Sequence, residues 1–231
     1  MIDLSYLTIS VRETIVTDVV EIAKYHSIHR RMNEGSFGIP RQVFCYVDFL
    51  GSIAYGNQGE EEASTWKGVR FIEEFFPSHY RPYANLIVAL WRHGTVHHFV
   101  PFVYYAMSGT QKVLIGWSSN SSNDESDRKV NMKIINKQGN KNILYLAVNI
   151  CQLADDLLIA FDKFVDMIEK DPSFENECLR RLQRVMEPKN CMTLKKVGIR
   201  TKEKLRSQIF LAKCSTEGEL EEKQVKWYHK P

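Results

Sequence analysis

Apolar residues recur along the first half of the chain with the spacing of helix faces rather than of strands. Over residues 9–30, Val11, Ile15, Val16, Val19, Val20, Ile22 and Ala23 fall on one side of a helix and leave the His29-Arg30-Arg31 end polar. Gly35, Gly38 and Pro40 then break the chain. A second helix is predicted from Arg41 to about Tyr55, where Val43, Phe44, Val47, Leu50 and Ala54 recur at helical spacing before Gly56-Asn57-Gln58-Gly59 ends it. Ser64 precedes a third, with Trp66, Val69, Phe71, Ile72, Phe75 and Phe76 as its core face and Pro77 as its stop. A fourth is predicted from Arg81-Pro82, with Pro82 near the first turn and Ala84, Ile87, Val88, Leu90 and Trp91 buried. Its C-terminal end runs into Arg92-His93-Gly94-Thr95-Val96-His97.

After Pro101 the pattern shortens to apolar runs at 102–107, 113–117, 130–135 and 143–148, which read as three or four strands. The last two flank Asn136-Lys137-Gln138-Gly139-Asn140, the composition of a hairpin turn, so the strands are expected to form a small antiparallel sheet. The polar tract 118–127 between the second and third runs reads as a loop. At Asn149 a long helix begins, with Asn149 as cap and Gln152 placed to return the hydrogen bond. Its stripe of Ile150, Leu153, Ala154, Leu157, Leu158, Phe161, Phe164, Val165 and Ile168 is core packing. A shorter helix follows from about Phe174 to Met186, and beyond Pro188 the periodicity fades. The pattern therefore predicts a mainly α protein of the α+β class: a helical bundle of about six helices with a small antiparallel β insert at about 102–148. This makes residues 1–188 one domain and 189–231 a loosely attached extension.

Composition changes this picture little. With 44% hydrophobic and 26% charged residues the chain is expected to fold over most of its length, and a net charge of +3 does not by itself point to nucleic acid. The distribution is more pointed: from Lys189 to Lys213 eight Lys or Arg face the single acid Glu203, a stretch able either to meet phosphate or to form a solvated basic face. Five cysteines, Cys45, Cys151, Cys178, Cys191 and Cys214, are odd in number and never form a Cys-x-x-Cys pair, which reads as reduced thiols rather than disulfides or a zinc knuckle. The N-terminus carries Asp3 and no long apolar stretch, and no window approaches the roughly 20 apolar residues of a membrane span, so a cytoplasmic protein without membrane contact is expected.

Candidate chemistry gathers at the end of the fourth helix. Cutting RNA without a metal needs a proton acceptor or donor and a fixed cation for the charge that develops on phosphorus. Histidine suits the first task and arginine the second. Arg92 and His97 lie five positions apart and can approach one phosphate if the helix bends or ends near Gly94. In order and spacing, Arg92, His93 and His97 resemble the motif of the HEPN superfamily, helical proteins whose catalytic members carry Arg, often a polar residue, then His. The phrase YVDFLG…RHGTVHHFVP also resembles uncharacterised bacterial proteins. The HEPN resemblance implies a metal-independent endoribonuclease of a toxin or phage-defence type, with His97 as general base or acid, Arg92 stabilising the transition state and His93 orienting the phosphate. It also implies a homodimer joining two motifs in one cleft, RNA as substrate, and an antitoxin or regulatory protein as partner.

The alternative is a non-catalytic HEPN-like interaction module. In that case Arg92 pairs with a carboxylate such as Asp48, and His97 or His98 caps the helix end or packs beneath Phe99. His93, His97 and His98 have part of a zinc pattern but lack the glutamate of His-Glu-x-x-His, and no phosphate-cradling loop, nucleophile elbow or dinucleotide fingerprint occurs. No metal and no cofactor are expected.

Overall fold

The computed structural model describes residues 5–29, 37–56, 64–98, 100–108, 111–119, 129–137 and 141–186. Residues 1–182 form one compact unit, mainly helical with a small sheet. Of the loop predicted at 118–127, residues 118 and 119 instead end a strand, while 120–127, the tip of the hairpin at 138–140 and the extension 189–231 lie outside the described residues.

The first helix, α1, runs over residues 6–29 and starts before the position its apolar pattern suggested. Leu7, Val11, Ile15, Val19 and Ala23 are buried at every fourth position. On a regular α-helix such a row drifts by about 40° per step. Turns at Tyr6–Val11 and Val16–Val20 are π-helical, and their wider i→i+5 hydrogen bonding takes up the drift. Ile22, expected on the buried face, lies off this row and is exposed.

Helix α2, Gly38–Tyr55, starts three residues earlier than predicted. Pro40 falls in its first turn, where a missing N–H leaves no helical bond unmade. The helix ends at Gly56, whose φ of +65° lies in a positive-φ region that glycine, lacking a Cβ, adopts without strain. Arg181 donates to the terminal carbonyls of Ile53 and Ala54.

Helix α3, Ser64–Phe75, packs against α2 so closely that a Cβ at Gly51 would lie 2.8 Å from the carbonyl oxygen of Lys67. A 3-10 segment, Ser78–Tyr83, follows Pro77 and contains Pro82, so α4 begins at Ala84 rather than at Arg81. Helix α4 covers residues 84–98 as an α turn Ala84–Ile87, a π-helical turn Val88–Arg92 and an α-helical end His93–His98. Here too the buried rows repeat in fours: Ala84, Val88 and Arg92, and Ile87, Trp91 and Thr95.

Four strands follow: β1 (Tyr104–Ser108), β2 (Gln111–Ser119), β3 (Asn131–Lys137) and β4 (Lys141–Val148), in the order β1-β2-β4-β3. The expectation of an antiparallel sheet is corrected at its centre, where β2 and β4 run parallel, Ile115 beside Leu144 and Trp117 beside Leu146. The reason is legible afterwards. The near-continuous apolar run of β4 suits a central, covered strand, so β4 inserts beside β2 and leaves β3 at the edge. Leu146 and Val148 join the helical core, and Trp117 meets Trp91 edge-on at 5.0 Å between ring centres.

Helix α5, Ile150–Lys170, is capped by Asn149, whose side chain accepts from the backbone N–H of Cys151 and Gln152. Gln152 does not return a bond to the cap as predicted; its amide turns to Asp156 at 2.9 Å. Leu153, Ala154, Leu157, Ala160, Phe161, Phe164 and Ile168 fill the centre of the core, where α5 touches α1, α2 and α3. Helix α6, Pro172–Met186, follows a cap at Asp171.

Candidate functional site

The π-helical turn decides where the motif points. By keeping Arg92 in register with Ala84 and Val88, it turns the guanidinium inward, and the residue is 9% exposed. Its Nε donates to Oδ2 of Asp48 on α2 at 2.9 Å. Its Nη1 stands 3.2 Å from Nδ1 of His93. A guanidinium has donors and no acceptor, so Nδ1 must accept, and the ring proton sits on Nε2. That nitrogen lies 3.2 Å from Oγ1 of Thr65 in the first turn of α3, which therefore accepts from it. The chain Asp48–Arg92–His93–Thr65 links α2, α4 and α3.

Asp48 is the carboxylate that the alternative reading named. Its side chain is 25% exposed against 11% for Arg92, so water reaches the pair from one side. Neighbouring Cys45 is held above the usual thiol range, first by burial and then by the charge of Asp48, with Arg41 and Arg92 opposing. Thr65 was missed in the sequence because Ser64-Thr65 reads only as a helix start.

The helix does not end at Gly94 but continues to His98. Residues five apart on an α-helix stand about 140° apart. The side chain of His97 lies outside the described residues. Gly94 instead serves a crossing. The backbone of residues 100–102 passes over it, with Val100 O and Phe102 N at 2.5 and 2.6 Å from where a Cβ would stand. The Phe102 N–H donates to the carbonyl of Leu90 at 2.9 Å, inside the π-helical turn. His98 packs against Phe102, 4.8 Å between ring centres, while Phe99 lies outside the described residues.

A second polar group, unread in the sequence, sits in the core between α5 and the 3-10 segment. The Tyr80 hydroxyl donates to Oδ2 of Asp156 at 2.8 Å and the Gln152 amide to Oδ1. His79 Nε2 stands 4.0 Å from the same carboxylate. Asp156 is 2% exposed, and burial holds its carboxyl above the usual range despite both hydrogen bonds. Burial holds the His79 imidazole below its usual range. The available signal was Gln152 and Asp156 at i,i+4 beside an apolar stripe.

Among the described residues no group of three or more His, Cys, Asp or Glu could hold a metal ion, and no helix is long and apolar enough to cross a membrane. The basic run 189–213 lies outside the described residues. Compared with protein-family models, curated proteins and solved structures, the chain matches none.

Proposed function

We propose that the chain is a non-catalytic helical module of HEPN-like build that acts by binding another protein, with Arg92 and His93 as the polar lock between α2, α3 and α4. One observation carries this reading: the lock engages both nitrogens of His93 and holds a nearly buried Arg92 on Asp48. An imidazole whose proton and lone pair both face protein groups is poorly placed to orient a phosphate, the role the RNA-cleaving reading gives His93. Val100, Val103 and Tyr104, just beyond the motif helix, are exposed by 52%, 51% and 43% and supply apolar surface for a partner. A second copy of the chain, or a regulatory protein of antitoxin type, is the partner the HEPN resemblance suggests.

A second reading has its own support in the 25% exposure of Asp48. An arginine oriented by a carboxylate at the edge of solvent is also suited to a phosphate, and RNA cleavage by Arg92 and His97 would follow if a second copy completed the cleft. The two readings separate in one experiment. Wild type and a folded Arg92→Ala, His97→Ala variant are incubated with a mixed RNA pool in EDTA. The module reading expects no cleavage by either protein and a lowered melting temperature for Arg92→Ala. Cleavage by the wild type alone would replace it with the endoribonuclease.

A further inference from the structure

Between α1 and α2 lies an open cleft of about 260 Å³. Tyr6 and Thr14 line it from α1, and Gln42, Cys45, Tyr46 and Phe49 from α2. The volume falls just below the roughly 300–1,000 Å³ of pockets that hold drug-sized ligands, so it suits one ring system rather than a whole cofactor. Three of its walls are aromatic, which favours a planar ring over an aliphatic one.

Its polar groups are few and uncharged. Among the described residues the Gln42 side chain makes no hydrogen bond, so it presents a carbonyl and an amino group together. The Thr14 hydroxyl spends its proton on the carbonyl of Ser10 at 2.6 Å and presents lone pairs. Burial pushes the Tyr46 hydroxyl up to about 12 and raises the Cys45 thiol, so both stay neutral near pH 7. Among the described residues that line the cleft there is no Lys, Arg, Asp, Glu or His.

We propose that this cleft binds a small, uncharged, planar aromatic compound whose edge carries a hydrogen-bond donor beside an acceptor, an aromatic carboxamide or lactam. The ring lies among Tyr6, Tyr46 and Phe49, and the edge pairs with the Gln42 amide in both directions. A carboxylate in place of the amide would find no cation among the described lining residues and would face the Gln42 carbonyl. The inference does not depend on whether the chain cleaves RNA.

The test uses ligand-observed NMR on the full chain with three probes: benzamide, benzoate and cyclohexanecarboxamide. Benzamide is expected to bind about fivefold tighter than cyclohexanecarboxamide, which keeps the amide and loses the aromatic ring. Benzoate is expected not to displace it. Gln42→Leu and Thr14→Val, both at the cleft surface and checked for unchanged melting, are expected to weaken benzamide about fivefold and about twofold. No benzamide binding at millimolar concentration, equal binding of all three probes, or benzamide binding unchanged in both variants would overturn the proposal.

Discussion

Removing one side of the Asp48–Arg92 pair should cost more than removing both. At 2.9 Å and an effective dielectric of about 20, the two charges attract by roughly 6 kcal/mol before desolvation and side-chain ordering are subtracted. Both side chains are mostly buried, so screening removes only part of this. Arg92→Met leaves Asp48 in a partly buried position without its cation and should cost about 2–3 kcal/mol. In a domain of this size that is a fall in melting temperature of roughly 5–10 °C. Asp48→Leu should cost a similar amount, because it strands the guanidinium. The double variant replaces the pair with apolar side chains of similar bulk and should cost no more than about half of either single loss, a coupling of about 3 kcal/mol or more. Urea unfolding of the four proteins measures the cycle. Additive losses, or single variants within about 0.5 kcal/mol of wild type, would show that the pair does not hold α4 to α2.

Two further outcomes follow from the same geometry. Gly94→Ala places a Cβ within 2.5–2.6 Å of the backbone that crosses α4, and no flexible side chain is there to yield. A loss of about 2–3 kcal/mol in chemical denaturation is expected, and a neutral effect would mean the crossing is not fixed. For Asp156 the folded carboxyl is held above its ordinary 3.8, so its protonated form stabilises the fold below that value, and the contribution is lost as pH rises through the raised one. The stability of wild type relative to Asp156→Asn should therefore decline as pH rises from about 3.8 and then level off, as urea titrations at several pH values would record; an increase would reverse the assigned sign.

What the sequence made legible in the fold was the existence of each helix; the edges were less so, for identifiable reasons. The start of α4 was misplaced because Pro82 is as acceptable inside a 3-10 turn as in the first turn of an α-helix. The start of α2 was misplaced because Gly38 and Pro40 look like breakers, yet the first turn of a helix tolerates both. Strand order was not legible at all. The hairpin signal at 136–140 concerns only β3 and β4, and nothing local says that their partner is β2, running parallel to β4. The apolar run of β4 indicates a covered strand but not which strand lies beside it.

At the candidate site, linear spacing and helix phase carry different information. Arg-x4-His places two residue types near each other in the chain, but on a continuous helix five positions turn them about 140° apart. The residues that do meet Arg92 and His93 come from 44 positions upstream for Asp48 and 28 for Thr65, a pairing that only the close approach of α2, α3 and α4 brings about. Asp48 was foreseeable, because an inward arginine needs a carboxylate and α2 offers one on its apolar face. Thr65 was not, since a threonine in a first turn is ordinarily explained by the backbone alone. The inward turn of Arg92 itself rests on the four-residue repeat of Ala84, Val88 and Arg92, which a π-helical turn keeps in line. Shortening that turn by deleting one residue between 88 and 91 would rotate Arg92 by about 100° out of the core and dissolve the lock, whatever the motif spelled.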